Sequence, residues 1–280
     1  MRKLTRSIVV LLLGCLIQCA ATSGDYLSNQ AREIHQQFWS PNAHLIDYLM
    51  KGTPYETPLF HFKGETDGPV VMILGGTHGN EPAGFEAAHC LLRQFTEAPI
   101  KSGEIFIIPE TNRVADSLSE RRIPVPDGMD IELGNLNRCY PGIKDGLPME
   151  QMAYAITELI REHRVSLFLD LHESPVFHLQ SREKDGSYHG LGQTLIYTIN
   201  EEATWLAMVV LDQINADIPA GMEQFSVIES PIELSAAWSA GKFFQIPAFT
   251  VETCKQLPLE KRVKYQIDIV NIMLREKGMI

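Results

Sequence analysis

The chain has 280 residues, of which 45% are hydrophobic and 21% charged, and its formal net charge is −11. That length and apolar content suffice for one sizeable domain with its own core, and not obviously for two. The acidity argues against nucleic acid and anionic membrane surfaces as partners.

In chain order, the first feature is a leader. Arg2, Lys3 and Arg6 precede an apolar run from Ile8 to Ile17, and the small residues Ala20 to Gly24 follow. This is the layout of a secretory signal peptide over residues 1–23, with a run too short to span a bilayer comfortably. The expectation is therefore an exported, periplasmic protein. A lipid anchor is the alternative, because Leu12-Leu13-Gly14-Cys15 resembles a lipoprotein box, although the apolar run continues past Cys15. Removing the leader removes three positive charges, which takes −11 to about −14. Cys90, Cys139 and Cys254 remain, too few and too far apart for a disulfide framework. A Cys139–Cys254 bridge stays open as an alternative to free thiols.

Residues 24–56 read as a polar helical lead-in, with "NQAREIHQQFW" at helical spacing, and residues 57–280 as the main domain. "TPLFHFKG" reads as an edge strand. "PVVMILGG" is a buried strand, and helical periodicity follows over about 82–95. "GEIFIIPETN" is a second buried strand, "MEQMAYAITELIREH" an amphipathic helix, and "VSLFLDLHES" a third strand. "GQTLIYTI", the helix "EATWLAMVVLDQI", the strand "IPAFTVET" and the closing helix "LPLEKRVKYQIDIVNIMLREKG" complete the chain. Strands apolar on both faces that alternate with helices predict an α/β domain: a mostly parallel or mixed twisted sheet flanked by helices. Residues 110–147, rich in Arg, Asp, Gly and Pro, predict a long functional loop.

In such sheets, ligands gather at the carboxyl ends of the strands. His78 and Glu81 follow one strand, Asn112 the next, Asp170, His172 and Glu173 end the third, and Glu252 ends the fifth. Two histidines and a glutamate are an established hydrolytic zinc set that leaves an open position for water. His78, Glu81 and His172 are thus the candidate ligands for one Zn²⁺ per chain. An H-x-x-E pair or a strand-end histidine alone is a weak indication; their meeting at one rim is what counts. Alternation along the strand points Glu173 away from His172. Asp170, two residues before His172, is placed to orient that ligand.

"GGTHGNEPAG", "NLNRCYPG", "DLHES" and "FTVETC", in this order, resemble the zinc carboxypeptidase superfamily, and within it the succinylglutamate desuccinylase/aspartoacylase branch, over roughly residues 60–275. The resemblance implies zinc on His78, Glu81 and His172 and a carboxylate base at Glu252. It also implies a substrate-carboxylate clamp at Asn137 and Arg138, and a second arginine stabilising the oxyanion, at Arg121 or Arg122. Two readings of the substrate follow: an acylated amino acid for a deacylase, or a short peptide for a metallocarboxypeptidase or murein-peptide amidase. A non-catalytic binding protein of the same fold is the reading from another class.

The chain also departs from the family pattern. Asn135 stands where Asp usually precedes L-N-R, and Arg113 where proline is usual. The chain closes with a helix soon after Glu252, without the family's C-terminal β-domain, so a more open site is expected. Asn112 reads as structural. Trp238, His178 and His189 are peripheral candidates.

Overall fold

The computed structural model describes residues 44–181 and 189–280. The leader, most of the expected lead-in and the middle of the polar loop after Gln180 lie outside the described residues. An eight-stranded mixed sheet in the order β1-β2-β4-β3-β5-β8-β6-β7 organises the rest. Its strands are β1 (Leu45–Leu49), β2 (Thr57–Lys63), β3 (Thr66–Leu74), β4 (Ser102–Ile108), β5 (Leu167–Ser174), β6 (Thr194–Tyr197), β7 (Ser226–Glu229) and β8 (Ala248–Cys254). The helices are α1 (Pro82–Glu97), α2 (Arg113–Leu118), α3 (Pro148–Glu162), α4 (Glu201–Asn215), α5 (Ala236–Phe244) and α6 (Leu259–Glu276).

The four central strands, β4, β3, β5 and β8, run parallel, while β1, β2 and β6 pair antiparallel to their inner neighbours. The apolar runs explain the split. Every residue of β5 and of β8 is buried, as a strand covered on both faces requires. Met72, Leu74, Phe106 and Phe168 form one core with Met152 and Ile156 of α3 and Ala237 and Ala240 of α5. On other parts of the sheet, α1 packs on β5 and α6 on β8, and both α1 and α4 pack against α6.

Three sequence expectations need correction. The lead-in is not helical throughout, because Leu45–Leu49 is a strand paired with β2. β2 is therefore not an edge, since β1 covers its outer side. The 110–147 stretch holds α2 and two short 3₁₀ turns, Ile131–Gly134 and Leu136–Arg138. Local capping explains two of these turns. Asn112 accepts from Ala115 N–H at the start of α2, and Asp130 accepts from Glu132 N–H at 3.0 Å at the first 3₁₀ turn.

Candidate metal centre and active site

The chain leaves β3 through Gly75-Gly76, and Gly76 sits at φ +67°, a conformation that glycine adopts without penalty. This turn carries His78 and Glu81 over the carboxyl end of the sheet, Glu81 directly preceding Pro82, the first residue of α1. β5 supplies Asp170 and His172 from the adjacent strand end. Glu252 on β8 is the register partner of His172.

His78, Glu81 and His172 meet there, all buried, with one ligand atom from each lying within 4.8 Å of the others. His78 Nδ1 is 2.9 Å from Glu81 Oε1, His172 Nδ1 is 2.8 Å from Glu81 Oε2, and the two Nδ1 atoms are 3.1 Å apart. The outer ring nitrogens are already engaged. His78 Nε2 lies 3.0 Å from Asn135 Oδ1, and His172 Nε2 lies 2.8 Å from Asp170 Oδ2. Asp170 is held in turn by the Thr77 hydroxyl, which donates to Oδ1 at 2.7 Å. With a proton on each Nε2, both Nδ1 lone pairs and a carboxylate aim at one point. Without a cation, that arrangement sets lone pairs against each other.

The titration behaviour supports the same fit. Burial works against charge on His172, yet Asp170 and Glu81 outweigh it and hold its pKa well above the usual imidazole value. Burial also opposes ionisation of Glu81, but His78 and His172 hold its carboxyl well below the usual range. For His78, burial dominates and lowers the pKa. The cluster therefore favours positive charge where the two Nδ1 atoms and the Glu81 carboxylate meet, which a bound divalent cation would supply. Two imidazoles and a carboxylate suit zinc.

A pocket opens beside this cluster. His78, Arg121, Asn137, Arg138, Thr250 and Glu252 contribute its polar lining, and Leu191, Ile196, Pro231 and Ile232 its apolar wall. Glu252 is buried, and its Oε2 has no hydrogen-bond partner among the described residues. Burial first, and then the Glu81 carboxylate, push its pKa up to about 8. Arg121 reaches the pocket, with Nη1 2.8 Å from Glu81 Oε1. Arg122 does not line it; its guanidinium pairs with Glu132 instead, because neighbouring side chains diverge here. Arg138 is half-buried and makes no ion pair among the described residues; burial, then repulsion from Arg121, lowers its pKa. Asn137 lines the pocket, but its Oδ1 accepts from Ala236 N–H at 2.9 Å and so anchors the start of α5.

Other candidates fall elsewhere. Glu173 points away from the cluster, accepting from Ala83 N–H at 2.9 Å and pairing with Arg262. Cys139 and Cys254 are both free thiols, so no bridge crosses the site. Trp238 lies in α5 against Phe243, outside the pocket lining. Sequence reasoning assigned no role to Thr77, Glu132 or Asn135 in supporting the cluster. For Asn135 an indication existed, its position two residues before Asn137, but nothing in the sequence marked Glu132.

Residues 67–266 match the family described as succinylglutamate desuccinylase/aspartoacylase catalytic domain. Over 106 residues the chain is 33% identical to an N-alpha-acetyl-L-2,4-diaminobutyric acid deacetylase of Halomonas elongata, covering 38% of this chain and 29% of that protein. The fold is similar to that of cell shape determinant protein Csd4 of Helicobacter pylori, with a TM-score of 0.67 at 18% identity. That match covers 80% of this chain and 55% of Csd4. An aspartoacylase family protein of Mesorhizobium loti matches with a TM-score of 0.60 at 22% identity, covering 83% of this chain and 66% of that one. The chain thus spans less than two thirds of each of these relatives. Its match to the family runs through all four quoted motifs, and the chain belongs to the succinylglutamate desuccinylase/aspartoacylase catalytic-domain family.

Proposed function

We propose that this is an exported, zinc-dependent hydrolase that cleaves an amide bond next to a free carboxylate, in an acylated amino acid or a short peptide. The observation that carries the reading is the convergence of His78, Glu81 and His172 beside a pocket that also holds Glu252 and Arg138. Export rests on the basic and apolar leader. No helix among the described residues is long and apolar enough to cross a membrane.

His78, Glu81 and His172 would hold the zinc, which when bound supplies Lewis acidity and makes water available as a nucleophile near neutral pH. Glu252 takes the proton of the attacking water and returns it to the leaving nitrogen, a role worth roughly 10²–10⁴ in rate. Glu252 lines the pocket beside His78, where a base for that water must stand. Arg138 is a guanidinium without a carboxylate partner among the described residues, and its planar fork suits bidentate capture of a substrate carboxylate. Arg121, at the pocket wall, is placed to stabilise charge developing on the scissile carbonyl. The wall of Leu191, Ile196, Pro231 and Ile232 supports a substrate with an uncharged substituent.

The peptide reading draws support from the leader and from the likeness in fold to Csd4, a D,L-carboxypeptidase whose structure is also known with a tripeptide bound. The deacylase reading draws support from the family match and the diaminobutyrate deacetylase relative. Assaying acylated amino acids beside murein tripeptides separates them. The Glu252→Gln variant is expected to keep its metal while losing about 10²-fold or more in turnover. Full activity in that variant would remove Glu252 from its role. A metal-loaded wild type inert toward every such substrate would favour a binding protein.

A further inference from the structure

His78 makes its outer contact with an amide rather than a carboxylate, and an amide has two unlike ends. Asn135 Oδ1 faces His78 Nε2 at 3.0 Å and also accepts from Asn137 N–H at 3.2 Å. Its Nδ2 donates to Glu132 Oε2 at 2.7 Å, and Glu132 Oε1 is paired with Arg122. If the amide were reversed, its NH₂ would face Nε2, which would then have to accept. The ring proton would move to Nδ1, the nitrogen aimed at Glu81 and His172, and His78 would lose its donor toward the cluster. Asn135 is buried, with no bulk water to correct the error, whereas Glu132 has a side chain 41% exposed.

We propose that Glu132, held by Arg122, is a positioning residue for the metal centre: it fixes the Asn135 amide so that its oxygen faces His78. The local chain geometry favours this. Glu132 and Asn135 lie three residues apart across one 3₁₀ turn, with Asn135 N–H donating to Glu132 O at 3.0 Å. A carboxylate at position 135 would accept through either oxygen and would need no such orientation. The inference thus gives Arg122 and Glu132 a task outside the pocket, and it rests on His78 being a metal ligand.

The test is zinc affinity, measured by competition with a chromophoric chelator on the full chain after metal removal. Glu132→Ala should bind zinc about 10-fold or more weakly than the wild type, the range typical for lost outer contacts to a ligating histidine. Glu132→Gln keeps an acceptor and should stay close to the wild type. The decisive comparison is made with Asn135→Asp in place, where adding Glu132→Ala should change affinity by less than about threefold, since both oxygens of Asp accept. Wild-type affinity in Glu132→Ala would overturn the proposal. So would an equal loss in both the Asn135 and Asn135→Asp backgrounds, which would mark a general charge or folding effect. A wild type that binds no zinc overturns the metal centre itself and this proposal with it, whereas a zinc-binding wild type whose variants fail the comparison overturns this proposal alone.

Discussion

Glu252 shows how one side chain ties the site to stability. In the metal-free protein its pKa is pushed up to about 8 from an ordinary 4.5, mainly by burial. An acid whose folded pKa is raised contributes stability that is fully present below about pH 4.5 and is lost as pH rises through about 8. Glu81 has the opposite sign, because its depressed pKa gives stability that is lost as pH falls. Replacing Glu252 by a residue that never ionises isolates its share. Metal-free Glu252→Gln should therefore be more stable than the wild type near pH 9, on the order of a few kcal/mol, and differ little near pH 4. Urea unfolding at the two pH values checks this; a variant less stable at pH 9 would contradict the burial account.

The elements that carry these side chains depend on close backbone approach. Gly84 in α1 lies against β5, where a Cβ would sit 2.3 Å from the Leu171 carbonyl oxygen. Gly84→Ala must push α1 away from the strand that bears His172, at a cost of roughly 1–3 kcal/mol. A lowered urea midpoint would show it, and an unchanged midpoint would mean that the contact is slack. The strongly patterned elements were legible in sequence: β3 and β4 by their apolar runs, β5 and β8 by apolar residues that give way to polar ones toward the strand end, and α1, α3 and α6 by helical periodicity. The missed ones lack such a pattern. β7 is a four-residue edge strand that is half-buried along most of its length, and β1 is exposed over its middle, so neither shows a core-facing run. α5 is built from small residues, "AAWSAGKFF", and its start is marked only by the Ser235 cap. α2 is too short for periodicity to register.

Taken together, the fold brings polar residues from β3, β5 and β8 to one rim, as parallel strands do when loops leave their carboxyl ends. His78, Glu81 and His172 were legible because strand-end placement and spacing mark them, and Arg138 because it follows Asn137 in a recognisable motif. The outer contacts were not legible. Which way the Asn135 amide points, and which of Arg121 and Arg122 turns into the pocket, depend on loop packing that no periodicity encodes. The account stands on His78, Glu81 and His172 gripping one cation, so metal content is its most direct test. Elemental analysis of the purified full chain should find about one zinc per molecule, falling to near zero in His78→Ala and His172→Ala while far-UV circular dichroism stays native. A native wild type free of metal after zinc loading, or variants that retain wild-type zinc, would contradict it.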